Sequence, residues 1–383
     1  MKTVIRNILI GVVLLVSAGQ ALAYPPDNAA VLYYKSFMLL EEPNENLKKM
    51  LSDLSKGNIG MNEQIRLYLE RNRNVIKEIV TAAEIKNCDW GLDFSEGSFL
   101  VMPHFAKCRQ MAYILTADVK VLAEKGDYKT ALERCLTIHK MGIHVGDDTI
   151  LQRLVGMALG RLANKCIMEI VPQVSGDCET LERLRWRLVD ISSRYLSLKV
   201  AIAKEAEVCE QQINRENVLS YIEAAGEPCD MPKEILEGDE EFFARARDYY
   251  RSVVAKIQSD FDLPYAEAIQ RLEELDKQIK KDAAERPEVM ITRFLLAPAI
   301  SRWRTYETRG KTHLNAIFAG IDIYLIRAKT GKLPDELPAG LPKDMFSGKD
   351  FIYEKTDSGF TLKYQGKDLT RDIVHQYEFK VVK

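Results

Sequence analysis

Apolar positions recur at spacings of three and four along most of the chain, and the clearest series lies between Pro103 and Pro172. Ile114, Leu115, Val119, Leu122 and Ala123 fall on one face of a helix. Gly126 ends that helix, because glycine takes a left-handed cap without steric cost. Asp127 then offers its carboxylate to the first free amides of a second helix, whose stripe is Tyr128, Ala131, Leu132, Cys135, Ile138 and His139 or Met141. A third segment, Ile150–Ile170, starts behind Asp147, Asp148 and Thr149 and stops at Pro172. These three helices are expected to organise the rest of the molecule.

The flanking pattern is of the same kind. Val31, Tyr34 and Met38 mark a short helix behind Asp27, a second covers 46–54, and Ile65, Leu69, Ile76, Ile79, Val80 and Ala83 predict one long helix over 62–84. Between Asn87 and Pro103 periodicity is lost, yet the segment stays apolar and aromatic, with Trp90, Phe94 and Phe99. Such a loop must lie on the body of the protein, since leaving it in water costs about 25 cal/mol per Å². It is expected to seal the end of the bundle, or to form one wall of a pocket, through Cys88, Asp89, Trp90 and Asp93. A helix from 179 to about 192 reads as passing with little interruption into a second over 196–225. Gly226, Pro228 and Pro232 break the pattern, Pro298 is expected to kink a later helix, and Phe351, Tyr353, Phe360, Leu362 and Tyr364 alternate around Asp357, Ser358 and Gly359 as a β-hairpin. Residues 375–382 offer a third strand.

The expected fold class is therefore mainly α: a multi-helix bundle of antiparallel hairpins, with a small C-terminal antiparallel β-sheet packed on a helix. The expected units are an export signal over 1–23, a helical domain over 24–225, a linker over 226–240, a helical continuation over 241–310 and a helix-plus-hairpin unit over 311–383.

Composition changes this picture at one end. Lys2 and Arg6 precede the apolar run 8–16, and Ala21, Leu22 and Ala23 offer a signal-peptidase site before Tyr24. The run is too short to span a bilayer, so an exported protein with no stable transmembrane segment after cleavage is expected, in the periplasm or outside the cell. Removing Lys2 and Arg6 with the leader takes the net charge from −2 to −4, which gives no reason to expect nucleic acid as partner. With 46% apolar and 29% charged residues the chain has the makings of a sizeable core and is not a disordered one. Its seven cysteines show no Cys-x-x-Cys spacing. Cys135 and Cys166 fall on apolar faces, as core thiols do, whereas Cys178 and Cys229 fall in loops where a disulfide is more readily accommodated.

Chemistry is sparse. Gly310, Lys311 and Thr312 end like a phosphate-binding loop, but Thr305 stands where that loop needs glycine. No cofactor is expected. His104 with Cys108, and Cys135 with His139, are spaced to share helix faces. Counting residues from the turn at Gly126 levels His144 with Cys108, so His104, Cys108, His144 and Asp147 or Asp148 are the candidate metal ligands at one end of the hairpin.

The run from Ala123 through Gly126, Asp127 and Tyr128 to Leu132 resembles the turn of a tetratricopeptide repeat, with Tyr128 and Ala131 at the packing positions. Residues 316–368, with Leu333-Pro334, Leu341-Pro342, Asp344, Phe346, Ser347, Gly348, Tyr364, Gly366 and Asp368, resemble the globular half of the type II secretion major pseudopilin. About 310 residues precede that motif where a pilin has its assembly helix, and no acidic loop matching the pseudopilin's calcium site follows Asp368. Together with the leader, these features resemble uncharacterised exported bacterial proteins. The resemblance implies a helical body joined to this ending and implies no activity. The leading expectation is a non-catalytic interaction or scaffold protein of the cell envelope whose partner is another protein or an envelope component. An exported enzyme using carboxylates near the Cys88 to Pro103 loop, and a secretion-system accessory component, are the alternatives.

Overall fold

The structure, a computed structural model, describes residues 27–93, 102–146, 149–195, 197–224, 233–296 and 300–381. The leader, Asp147, Asp148, Cys229, the expected Pro298 kink, residues 94–101 of the aromatic loop and the whole Gly226 to Pro232 break lie outside the described residues. The fold is mainly helical with one small antiparallel sheet. In chain order the helices are α1 (Ala29–Leu39), α2 (Glu45–Lys56), α3 (Glu63–Arg71), α4 (Arg73–Glu84), α5 (His104–Glu124), α6 (Tyr128–Val145) and α7 (Ile150–Ile170). They continue with α8 (Cys178–Arg194), α9 (Leu198–Gln212), α10 (Arg215–Ala224), α11 (Lys233–Glu237), α12 (Glu240–Asp260), α13 (Tyr265–Glu285), α14 (Val289–Leu296) and α15 (Ile300–Thr330). Strands β1 (Ile352–Thr356), β2 (Gly359–Lys363) and β3 (Gln376–Lys380) follow. Among the described residues no helix is long and apolar enough to cross a membrane.

The turns behave as their residues require. Gly126 adopts φ +75° and Asp127 accepts from the Thr130 amide at 3.1 Å, closing α5 and opening α6. Thr149 and Gln152 form a reciprocal cap that starts α7. One glycine pair, Gly142 with Gly156, then lets α6 and α7 touch backbone to backbone. A Cβ on Gly156 would overlap the Gly142 carbonyl oxygen, and one on Gly142 would lie 2.8 Å from the Gly156 oxygen.

Helix α7 lies where three apolar cores meet. Leu159 and Ala163 belong to a core built from α1–α5 and part of α6. Cys166, Ile167 and Ile170 belong to one shared with α6, α8, α15 and the sheet. Ile150 joins a third, made by α9 and α12–α14. A helix that gives residues to three cores is central, and the other elements pack around this one.

Three expectations about breaks differ from what is found. The helix expected over 62–84 is two, parted at Asn72. Its amide side chain donates to the Tyr68 carbonyl and accepts from the Glu41 amide, a local competition with the helix ladder. The helices expected to merge after 192 are separated at Tyr195, whose backbone is extended, and Ser197 caps α9. The expected boundary at 310/311 falls inside the continuous helix α15, while α9 packs with α12 rather than closing the unit that precedes it.

The sheet has the order β1-β2-β3 with antiparallel pairs, and Thr356 faces Gly359 across the two-residue turn. It rests on α15 through Phe360, Phe379 and Tyr324, with Phe360 and Phe379 stacked at 4.9 Å. Gly320 makes this seat, since a Cβ there would overlap the Phe379 ring. Two buried carboxylates tie the ending together. Asp344 accepts from the Phe346, Gln365 and Gly366 amides and the Ser347 hydroxyl. Asp368 accepts from Arg309 Nε at 2.8 Å and Nη2 at 2.5 Å, from His375 Nε2 at 3.1 Å and from Thr370. Burial pushes the Asp368 carboxyl up, but these donors outweigh it and hold it below the usual carboxylate range.

Candidate functional site

The residues singled out in the sequence gather around Trp90. Its indole lies flat on His104, with ring centroids 4.4 Å apart, and stacks on Tyr33 at 5.5 Å. Its Nε1 donates to the His144 carbonyl at 2.7 Å, and Tyr33 Oη meets His144 Nδ1 at 3.0 Å. Cys108 is fully buried in the same core, its thiol pushed up by burial. Burial lowers His104 and His144 to about 4, so both rings are neutral near pH 7. Asp89 forms a turn, accepting from the Gly91 amide, and both Asp89 and Asp93 are exposed; Cys88 is half-buried. The arrangement is a packed aromatic wedge of Trp90, Tyr33 and His104. Among the described residues no three His, Cys, Asp or Glu side chains are placed to hold a metal.

The other cysteine and histidine pair separates. Cys135 and Cys166 face each other in the core, and Cys178 carries a free thiol. His139 instead turns towards α7 and α8. Its Nε2 meets Asn164 Oδ1 at 2.9 Å and its Nδ1 meets Tyr195 Oη at 2.8 Å. With Asn164 accepting, Nε2 carries the proton and Nδ1 receives the tyrosine hydroxyl. Burial lowers His139 to about 4 and raises the Tyr195 phenol, so this relay is neutral.

That relay forms one wall of a half-open cavity of about 190 Å³ bounded by α6, α7, α15 and the α8–α9 joint. Met157, Leu314 and Phe318 supply an apolar side. Arg153, Arg161 and Lys311 supply three cations against one carboxylate, Glu307. Glu307 is already engaged, accepting from the Leu198 amide at 3.0 Å and lying 3.1 Å from Lys311 Nζ and 3.5 Å from Arg304. Gly160 makes room, since a Cβ there would lie 2.8 Å from Tyr195 Oη. The guanidinium of Arg153 sits 5.0 Å from the Tyr195 ring centroid and that of Arg161 5.9 Å from the Tyr306 ring centroid.

Sequence reasoning missed most of this cavity. A continuous α8 and α9 would hide Tyr195, although Ser192, Ser193 and Ser197 are a signal for a break. Arg161 looks like the polar face of α7, because periodicity does not reveal what packs opposite. The carboxylates that burial raises, Glu205 and Asp260, lie on α9 and at the end of α12, away from both the Trp90 wedge and the cavity. Fold and cavity together define a mainly α-helical protein with a small, largely apolar pocket that carries cations on its wall. No protein-family model, curated protein or solved structure matches the chain.

Proposed function

We propose that this is an exported, non-catalytic protein of the cell envelope that acts by binding, and that the cavity between α6, α7 and α15 receives a small solute. The observation that carries the reading is a water-accessible pocket of about 190 Å³ with cationic, amide and apolar walls, placed where two of the cores meet. Its size is close to that of an engineered apolar cavity of about 150 Å³ that holds benzene, which scales the ligand to roughly six to ten non-hydrogen atoms. Export rests on the basic, apolar and small-residue sequence of positions 1–23.

A second reading is contact with another protein, the scaffold role. Trp186, 68% exposed, and Val189 stand three residues apart on α8 and give that helix an apolar outer face. The secretion-accessory reading draws on the pseudopilin-like ending alone. The enzyme reading draws less support, because Asp89 and Asp93 are exposed rather than set in a cleft.

The test is native mass spectrometry of the full chain expressed in a bacterial host and purified from the envelope fraction. The expected outcome is a chain beginning at Tyr24 that carries a small-molecule mass lost on denaturation. A chain retained in the cytosol with its leader, or turnover of a substrate by the ligand-free protein, would overturn the reading.

A further inference from the structure

Arg161 is a cation without a counter-charge. It lines the cavity half-buried, makes no ion pair or hydrogen bond among the described residues, and lies over the Tyr306 ring, 5.9 Å from its centroid. Burial first, and then repulsion from the cations Arg309 and Arg371, lowers its pKa. Arg309 is committed to Asp368, and its remaining nitrogen Nη1 is buried without a hydrogen bond. The one carboxylate on the cavity wall, Glu307, is held by Lys311, Arg304 and a backbone amide. His139 is neutral, so it neither adds to nor offsets this excess.

A half-buried guanidinium is expensive unless an anion meets it. From the unpaired Arg161, the neighbouring Lys311 and the apolar side formed by Met157, Leu314 and Phe318, we infer that the cavity binds a small organic anion. The acid group, a carboxylate or a phosphate ester, meets Arg161 with Lys311 at the rim, and a short apolar body lies against Leu314 and Phe318. This rests on the binding role proposed above and names its ligand class. A guanidinium suits both acid groups, because its fork of N–H donors matches two oxygens at once.

The experiment is isothermal titration calorimetry of the mature chain with benzoate, phenyl phosphate, benzyl alcohol and benzylamine, which share one ring and differ in charge. Benzoate or phenyl phosphate is expected to bind at least tenfold more tightly than the alcohol, with no binding of the amine, and the stronger of the two identifies the acid group. Arg161→Gln is expected to weaken that anion at least tenfold while leaving the thermal midpoint of the ligand-free protein unchanged or higher, which a merely structural arginine would not do. Lys311→Gln, at a half-exposed position, is expected to give a smaller loss and to keep the fold in any case. Equal binding of the alcohol, or undiminished anion binding by folded Arg161→Gln, overturns the anion assignment and leaves the cavity reading standing. Binding of none of the four probes overturns the assignment as well.

Discussion

Trp90 lies flat against His104 at a centroid separation of 4.4 Å, and neither nitrogen of the His104 ring has a hydrogen-bond partner among the described residues. The histidine therefore serves there as a flat ring, and its ability to charge is a liability. Replacement by phenylalanine keeps the stack and removes the titration. His104→Phe is expected to be neutral or stabilising at pH 7, by up to about 1 kcal/mol, as read from urea midpoints.

The pH profile follows from the same burial. His104, His139 and His144 are lowered to about 4, and His313 to about 3. Above about pH 6.5 both folded and unfolded chains hold these rings neutral, and the full stability is present. As pH falls from 6.5 towards 4, the unfolded chain takes up protons that the folded one refuses, so stability declines. Every tenfold loss of proton affinity on folding corresponds to about 1.4 kcal/mol per ring. The urea midpoint is expected to drop steadily from pH 6.5 to 4, before most carboxylates titrate, and the slope is expected to be shallower in His104→Phe.

Gly320 and Phe379 form a matched hole and knob between α15 and β3. Gly320→Ala is expected to cost at least about 3 kcal/mol, the upper range for overpacking, because the added methyl falls on a buried ring. In a double-mutant cycle Phe379→Leu is expected to recover part of that loss, giving a coupling of about 1 kcal/mol or more.

The Arg309 and Asp368 pair joins the sheet's last connection to the same helix, and both side chains are buried. Removing one partner strands the other's charge, so Asp368→Asn is expected to cost about 3 to 5 kcal/mol. Replacing both at once, as Arg309→Met with Asp368→Leu, is expected to cost much less than the sum of the singles. Chemical denaturation of the four chains decides it.

Gly160 shapes the cavity without charging it. Gly160→Ala places a methyl 2.8 Å from the Tyr195 hydroxyl, which must shift away from His139. The expected loss of stability is about 1 to 2 kcal/mol, from one disturbed hydrogen bond and a small overlap. The His139 imidazole resonances are expected to move in NMR spectra while those of His104 stay in place.

The helices and the hairpin were legible because burial on one face leaves a period in the sequence. Gly126 and Asp127 announce their turn, and Phe360 and Leu362 announce a strand. The breaks were harder. Asn72 and Tyr195 part helices through contacts with Glu41 and His139, which are far away in the chain. Trp90 was expected to be covered, since a segment that apolar cannot stay in water, and its ring is buried. Arg161 was not, because an unpaired cation and a solvated one look alike until the opposite wall is known. His139 stands out for its spacing from Cys135, but its partners Asn164 and Tyr195 come from other elements.

Helix α15 carries Lys311, Leu314 and Phe318 on the cavity wall and, only two residues beyond Phe318, the Gly320 seat of the sheet. Its 31 residues form a lever roughly 46 Å long. The wall of the cavity and the seat of the C-terminal sheet are therefore successive stretches of a single unbroken rod, so neither can be rebuilt without the other's backbone.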